Sequence, residues 1–222
     1  MPRTAAAALT ALVPLLAGGL GGTAQSARGA VTPLLAEPMK GPFASLGAAC
    51  PDCRSTRSIE KPSAPYLEVR ILMSGDPTKP PSLSESSTHH LAVRLASGWW
   101  LHALGTEHTI CGGSSETHFS VSERDVRIAD VLPARGAELL VEMRETAHNY
   151  ETSRQIDDRR LHVCGVGASG RPSCTELHTY HFPGSAADGW DMTVSFRRDG
   201  TMVQAGRSGG TDIKQLYEVK FP

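Results

Sequence analysis

The chain has 222 residues, 40% hydrophobic and 20% charged, an ordinary globular composition rather than a disordered or collagenous one. Its 22 Lys and Arg nearly balance 23 Asp and Glu, for a formal net charge of -1. This leaves none of the basic excess with which nucleic-acid-binding proteins displace counterions from phosphates, so nucleic acid is not an expected partner.

The N-terminus carries one charge, Arg3, ahead of an apolar run from Ala5 to Leu20 and a small-residue stretch, Gly22-Thr23-Ala24. A positive start, a short apolar segment and a small-x-small site together make a secretory leader. Residues 1–24 are therefore read as a signal peptide, with the mature chain starting near Gln25. Retention as an anchor is the alternative; Pro14 and several glycines interrupt the run, and about 20 apolar residues are needed to span a bilayer. No later segment has the character of a membrane span, so a periplasmic or extracellular product is expected.

Residues 25–65 are rich in Ala, Pro, Gly and Ser without sustained periodicity, and read as an N-terminal arm or linker. An all-β domain is expected over 66–222. In Tyr66–Met73, Leu67, Val69, Ile71 and Met73 share one face of a period-two pattern. His89–Ala96 alternates again and is followed at once by Ser97-Gly98 and Trp99–Leu104. That is a tight hairpin signal, which sets Leu95 opposite Trp100 and Leu91 opposite Leu104. Strands follow at Thr117–Ser122 and Val126–Val131, although Arg124–Leu132 is also the best helical candidate. Glu138–Ala147 and Arg159–Val166 form a long hairpin with a polar tip. Thr175–Phe182, Met192–Arg197 and Lys214–Phe221 complete the series, and Asp199-Gly200 sets Phe196 opposite Val203. About ten strands at this spacing predict an antiparallel sandwich or partly open barrel built from hairpins.

Five cysteines remain after the leader. A turn centred on Ser169 places Cys164 directly opposite Cys174, within disulfide range. Cys50-Pro51-Asp52-Cys53 has the C-x-x-C spacing of a redox pair or half a zinc site, but lacks the helix or second ligand pair that either needs. The expectation is that one of the two pairs with Cys111; a bridge within the motif is the alternative.

Of nine histidines, His102, His108 and His118 fall near Cys111. Imidazole and thiolate are good zinc or copper ligands, so these four define the alternative reading, an exported metal-dependent enzyme. Their spacing matches no helical metal motif, and no G-x-S-x-G elbow or calcium loop is present. Glu142, Glu145, Glu151, Asp157 and Asp158 on the long hairpin alternate with Arg144, Arg154, Arg159 and Arg160, and read as cross-strand ion pairs rather than a glycosidase dyad. Trp99 and Trp100 are adjacent on a strand, so one is expected to point outward as a platform for a sugar or a partner protein. Trp100 and Trp190 are thus the candidate ligand-binding residues. The preferred reading is a non-catalytic binding or structural module with no cofactor, whose ligand is an unspecified protein or glycan.

Overall fold

The structure, a computed structural model, describes residues 30–59, 62–75, 86–112, 115–132, 136–149, 155–182 and 189–222. The expected leader at 1–24 lies outside the described residues. The body is a meander in which each strand pairs antiparallel with the next. It runs through β4 (Cys53–Ile59), β5 (Glu68–Ser74), β6 (Ser87–Leu95), β7 (Gly98–Gly112), β8 (Ser115–Ala129) and β9 (Glu138–Asn149). It continues through β10 (Gln155–Val166), β11 (Pro172–Phe182), β12 (Trp190–Phe196), β13 (Thr201–Ser208) and β14 (Thr211–Lys220). The first strand, β1 (Val31–Leu35), adds in parallel to β14, and the order β1 to β4 is not closed. No helix among the described residues is long and apolar enough to cross a membrane.

The residues that show no periodicity are built into this body. β2 (Glu37–Pro38) pairs with β11, and β3 (Lys40–Phe43) pairs with the start of β7. A single turn, α1 (Leu46–Ala49), follows, its first turn capped by the Ser45 hydroxyl accepting from the Ala48 amide. Four-residue strands containing Pro and Gly are too short to write a pattern of two, which is why they are silent in the sequence.

Three layers result from the alternation of side chains along the strands. On β9, Leu139 and Val141 enter a cluster with Val69, Leu91, Val93 and Trp100 of β5–β7. Leu140, between them, points the other way, into a cluster with Met202, Val219 and Phe221 of β13–β14 and the C-terminus. The strands β8–β11 are thus the middle layer, covered by β4–β7 on one face and by β12–β14 with β1 on the other. A third cluster, of Leu72, Ala92, Trp99 and Leu101, is roofed by Phe43, Leu46, Cys50 and Cys53.

Register departs from expectation at two turns. The first hairpin closes at Leu95 and Gly98, so Val93 faces Trp100 and Leu91 faces His102. The second pairs Phe196 with Met202 rather than Val203, because Arg198, Asp199 and Gly200 form a three-residue loop with Gly200 at φ 83°. Such a loop adds one residue to the two-residue turn that Asp-Gly suggests. The segment 124–129 is strand, and its helical alternative falls away: Glu138, buried, accepts the Val131 and Leu132 amides at 3.0 and 3.1 Å and fixes the chain beyond it.

Cys164 and Cys174 are paired directly and form a disulfide, with Cα atoms 4.0 Å apart, inside the first cluster. Cys50 is bonded to Cys53. This corrects the expected pairing with Cys111: the turn at 51–52, between the end of α1 and the start of β4, sets the two Cα atoms 5.3 Å apart, within bonding range.

Candidate functional site

β11 and β12 share only two residue pairs, Tyr180 with Asp191 and His181 with Trp190. On the same side, the N-terminal end of β11 is covered by β2 at Ser173 and Cys174. Beyond the Tyr180–Asp191 pair β12 swings away to pack, with β13 and β14, on the second cluster. The splay opens a groove of about 420 Å³ walled by Leu34, Leu177, Trp190, Met192, Gln204 and Tyr217. A second groove, of about 430 Å³, lies on the other side of the same indole, between Tyr180, His181, Asp191 and Arg207. Trp190 is half-buried and belongs to both walls.

The open edge of β11 would leave backbone carbonyls unpaired, and a side chain meets one of them. Gln204, buried, donates its Nε2 to the His178 carbonyl at 2.5 Å. The Tyr217 hydroxyl lies 3.3 Å from the Gln204 side-chain oxygen and also contacts Gln215. The groove therefore presents an indole beside an ordered row of amide and hydroxyl groups.

A charged ladder runs along the adjoining strands. The His178 Nδ1 is 3.3 Å from Asp158 and its Nε2 3.2 Å from Glu176. The hydrogen bonds to Asp158 and then Glu176 push its pKa up to about 9, against the opposing effect of burial. At neutral pH it is an imidazolium with both nitrogens committed, a fixed cation rather than a general base. Arg160 closes the ladder, 3.0 Å from Glu145 and 3.1 Å from Asp158. Arg144 grips Asp157 with two hydrogen bonds of 2.9 Å. Glu145, Asp157 and Asp158 of the long hairpin are thus committed to arginines, as the alternating charges led us to expect, while Glu151 lies outside the described residues. The rings of His178 and His181 stand 6.1 and 5.8 Å from the Trp190 ring, one on each groove.

Of the two tryptophans expected to face a ligand, Trp190 is half-buried and lines both grooves, whereas Trp100 is buried. Both Trp99 and Trp100 are buried, at 7% and 4% exposure. Trp100 lies in the first cluster with its indole N–H donated to Ser97 at 3.2 Å, and Trp99 lies under the roof of β3 and α1. This corrects the platform expected at Trp100: Trp100 takes the core face of the strand, and Trp99 on the second face is covered by the unpatterned segment 40–53.

The histidines proposed as metal ligands are spread along the sheet. His102 and His108 are six positions apart on one strand, roughly 20 Å in extended chain, so one ion cannot take both. His102 instead approaches His162, Nε2 to Nδ1, at 3.4 Å. His108 stacks on Phe119 with centroids 4.3 Å apart, and His118 pairs in register with Thr109. The side chain of Cys111 lies outside the described residues. Among those described, the one potential three-donor group is Cys50, Cys53 and His90. Burial, then the neighbouring His89, Lys40 and His102, lowers the His90 pKa, so its ring is neutral at pH 7.

Sequence reasoning missed Glu176, His178, Gln204 and Tyr217. They come from three strands, and only the i, i+2 spacing of Glu176 and His178 placed any two of them on one face. Comparison with protein-family models, with curated proteins and with solved structures gave no match.

Proposed function

We propose that the protein is exported to an oxidising compartment and works there as a non-catalytic binding module, with its ligand seated against Trp190. Two disulfides in an all-β chain fit such a compartment, since reduced thiols prevail in cytosol. The observation that carries the binding reading is Trp190 itself, half-buried where β11 and β12 part and shared by two grooves. An indole face beside Gln204, Gln215 and Tyr217 suits a sugar ring, whose C–H face stacks while its hydroxyls exchange hydrogen bonds with amides and phenol. A glycan is therefore the ligand class we favour over a protein.

Fluorescence titration against a panel of neutral and acidic oligosaccharides tests this. Trp99 and Trp100 are buried in the core, so a ligand-dependent change in emission reports Trp190. Trp190→Ala should weaken a binding oligosaccharide at least tenfold with an unchanged circular dichroism spectrum. A Trp190→Ala variant that binds it as tightly as the wild type, by calorimetry, would remove the basis for this site.

A further inference from the structure

The Cys50-x-x-Cys53 motif plays no part in the groove. It sits on the opposite side of the molecule, above the outer face of β5–β7. Cys50 closes α1 and Cys53 opens β4, and both are half-buried. Directly beneath, on β6, is His90. One ligand atom from each of Cys50, Cys53 and His90 lies within 4.8 Å of the others, and the His90 Nδ1 is buried without a hydrogen-bond partner. The sequence offered only half a metal site; the fold supplies a third donor from a strand 37 positions away from Cys53 (90 against 53).

We propose that reduction of the Cys50–Cys53 disulfide opens a Cys2His site for a single thiophilic cation, zinc(II) or copper(I), with His90 as the third ligand. The reductant is a dithiol. It supplies two electrons and two protons, the S–S bond breaks to give two thiols, and the dithiol leaves as a disulfide. The incoming cation then displaces one proton from each thiol. Zinc bonds of about 2.3 Å to sulfur and 2.0 Å to nitrogen set tetrahedral donors about 3.8 Å and 3.5 Å apart, so on reduction the two sulfurs move apart within the 4.8 Å that encloses all three donors. The Cα atoms of the two cysteines are 5.3 Å apart, so opening the bond needs side-chain rotation rather than movement of the chain. With three protein donors, zinc takes its fourth ligand from solvent, and copper(I) is satisfied with three. The other disulfide is protected: Cys164 and Cys174 are each 1% exposed within the core.

The test uses the protein carrying Cys111→Ser, before and after treatment with dithiothreitol and its anaerobic removal. Zinc(II) is titrated against a chromophoric chelator, copper(I) against bicinchoninate, and native mass spectrometry counts bound ions. The expected result is one ion per reduced chain and none per oxidised chain, with alkylation of the reduced metal-free protein confined to Cys50 and Cys53. His90→Ala should weaken binding at least tenfold, both with Cys111→Ser and with native Cys111. A preference for one of the two cations identifies the metal. Metal retained by the oxidised chain, no stoichiometric metal in the reduced one, or undiminished affinity in His90→Ala would each overturn the site.

Discussion

The Nδ1 of His178 stands 3.3 Å from a carboxylate oxygen of Asp158 on the neighbouring strand, and this contact governs the charge of the whole ladder. Glu176 takes the other ring nitrogen, so the pair of acids holds the proton that makes both nitrogens donors. With that proton in place the three carboxylates Glu145, Asp158 and Glu176 face two cations, Arg160 and His178. Without it they face Arg160 alone, and the negative excess beside the groove grows by one charge.

This arrangement predicts an alkaline loss of stability. The folded pKa of His178, about 9, lies above the value of about 6.5 in the unfolded chain. The stabilisation is therefore fully present below about pH 6.5 and is lost as pH rises through about 9. With the side chain 47% exposed, solvent screening reduces the effect to about 1 kcal/mol. Urea unfolding of wild type and His178→Gln should differ most near pH 6 and converge near pH 10. A difference that stays constant across this range would show that His178 acts by packing alone.

His162 predicts the opposite limb. It is 1% exposed, and burial, only partly offset by Glu176, takes its pKa down to about 4. His102, 3.4 Å away, adds a second imidazole that opposes its charging. The unfolded chain binds this proton from about pH 6.5 downward and the folded chain only from about 4, so stability falls as pH drops across that window. The loss is on the order of 3 kcal/mol, at about 1.4 kcal/mol for each pH unit that separates the two values. His162→Gln should flatten the acid limb between about pH 6.5 and 4. An acid limb as steep in the variant as in the wild type would place the sensitivity elsewhere.

What could be read in advance follows from where the pattern lives. Long strands that send their larger apolar residues to one face, such as His89–Ala96 and Glu138–Ala147, write the period of two that the core requires, even where Ala92 and Leu140 are buried on the other face. The turn about Ser169 fixed the opposition of Cys164 and Cys174. The groove left no such mark. It exists because β12 parts from β11 after two residue pairs, and its walls come from five strands whose approach is set by the second cluster. Trp100 misled because it takes the core face of β7, and the outward neighbour, Trp99, would be exposed only if nothing covered the second face. The cover, Lys40–Phe43 and Leu46–Ala49, is too short for periodicity to reveal. His90 carried no signal either, since its proximity to Cys50 and Cys53 is purely tertiary.

The Cys164–Cys174 disulfide ties β10 to β11 inside the first cluster. It closes a loop of 10 residues, for which the chain-entropy estimate gives about 2–3 kcal/mol. The double variant Cys164→Ala/Cys174→Ala removes the bond without placing hydroxyls in the core, and adds the loss of two buried sulfurs. Stability in water should fall by about 3–4 kcal/mol, with a somewhat steeper urea slope as the unfolded chain loses its cross-link and expands. A loss below about 1 kcal/mol would mean that the β10–β11 pairing holds the turn unaided.

Gly206 is the position on which the groove's geometry turns. It faces Met192 across the β12–β13 pair, and a Cβ there would fall 1.9 Å from the Asp191 carbonyl oxygen and 2.8 Å from the Met192 Cα. Both are backbone atoms, so no rotamer relieves the overlap and β12 itself must move, carrying Trp190 with it. Gly206→Ala should cost about 2–3 kcal/mol, in the range of overpacked cores, and red-shift the tryptophan emission as the indole gains solvent. Gly47→Ala is the control. It lies in α1 with nothing within 4 Å of its Cβ, and should stabilise by about 0.5–1 kcal/mol through the loss of glycine's unfolded-state freedom. A Gly206→Ala variant as stable as Gly47→Ala, with unshifted emission, would show that β12 and β13 lie further apart than the register requires.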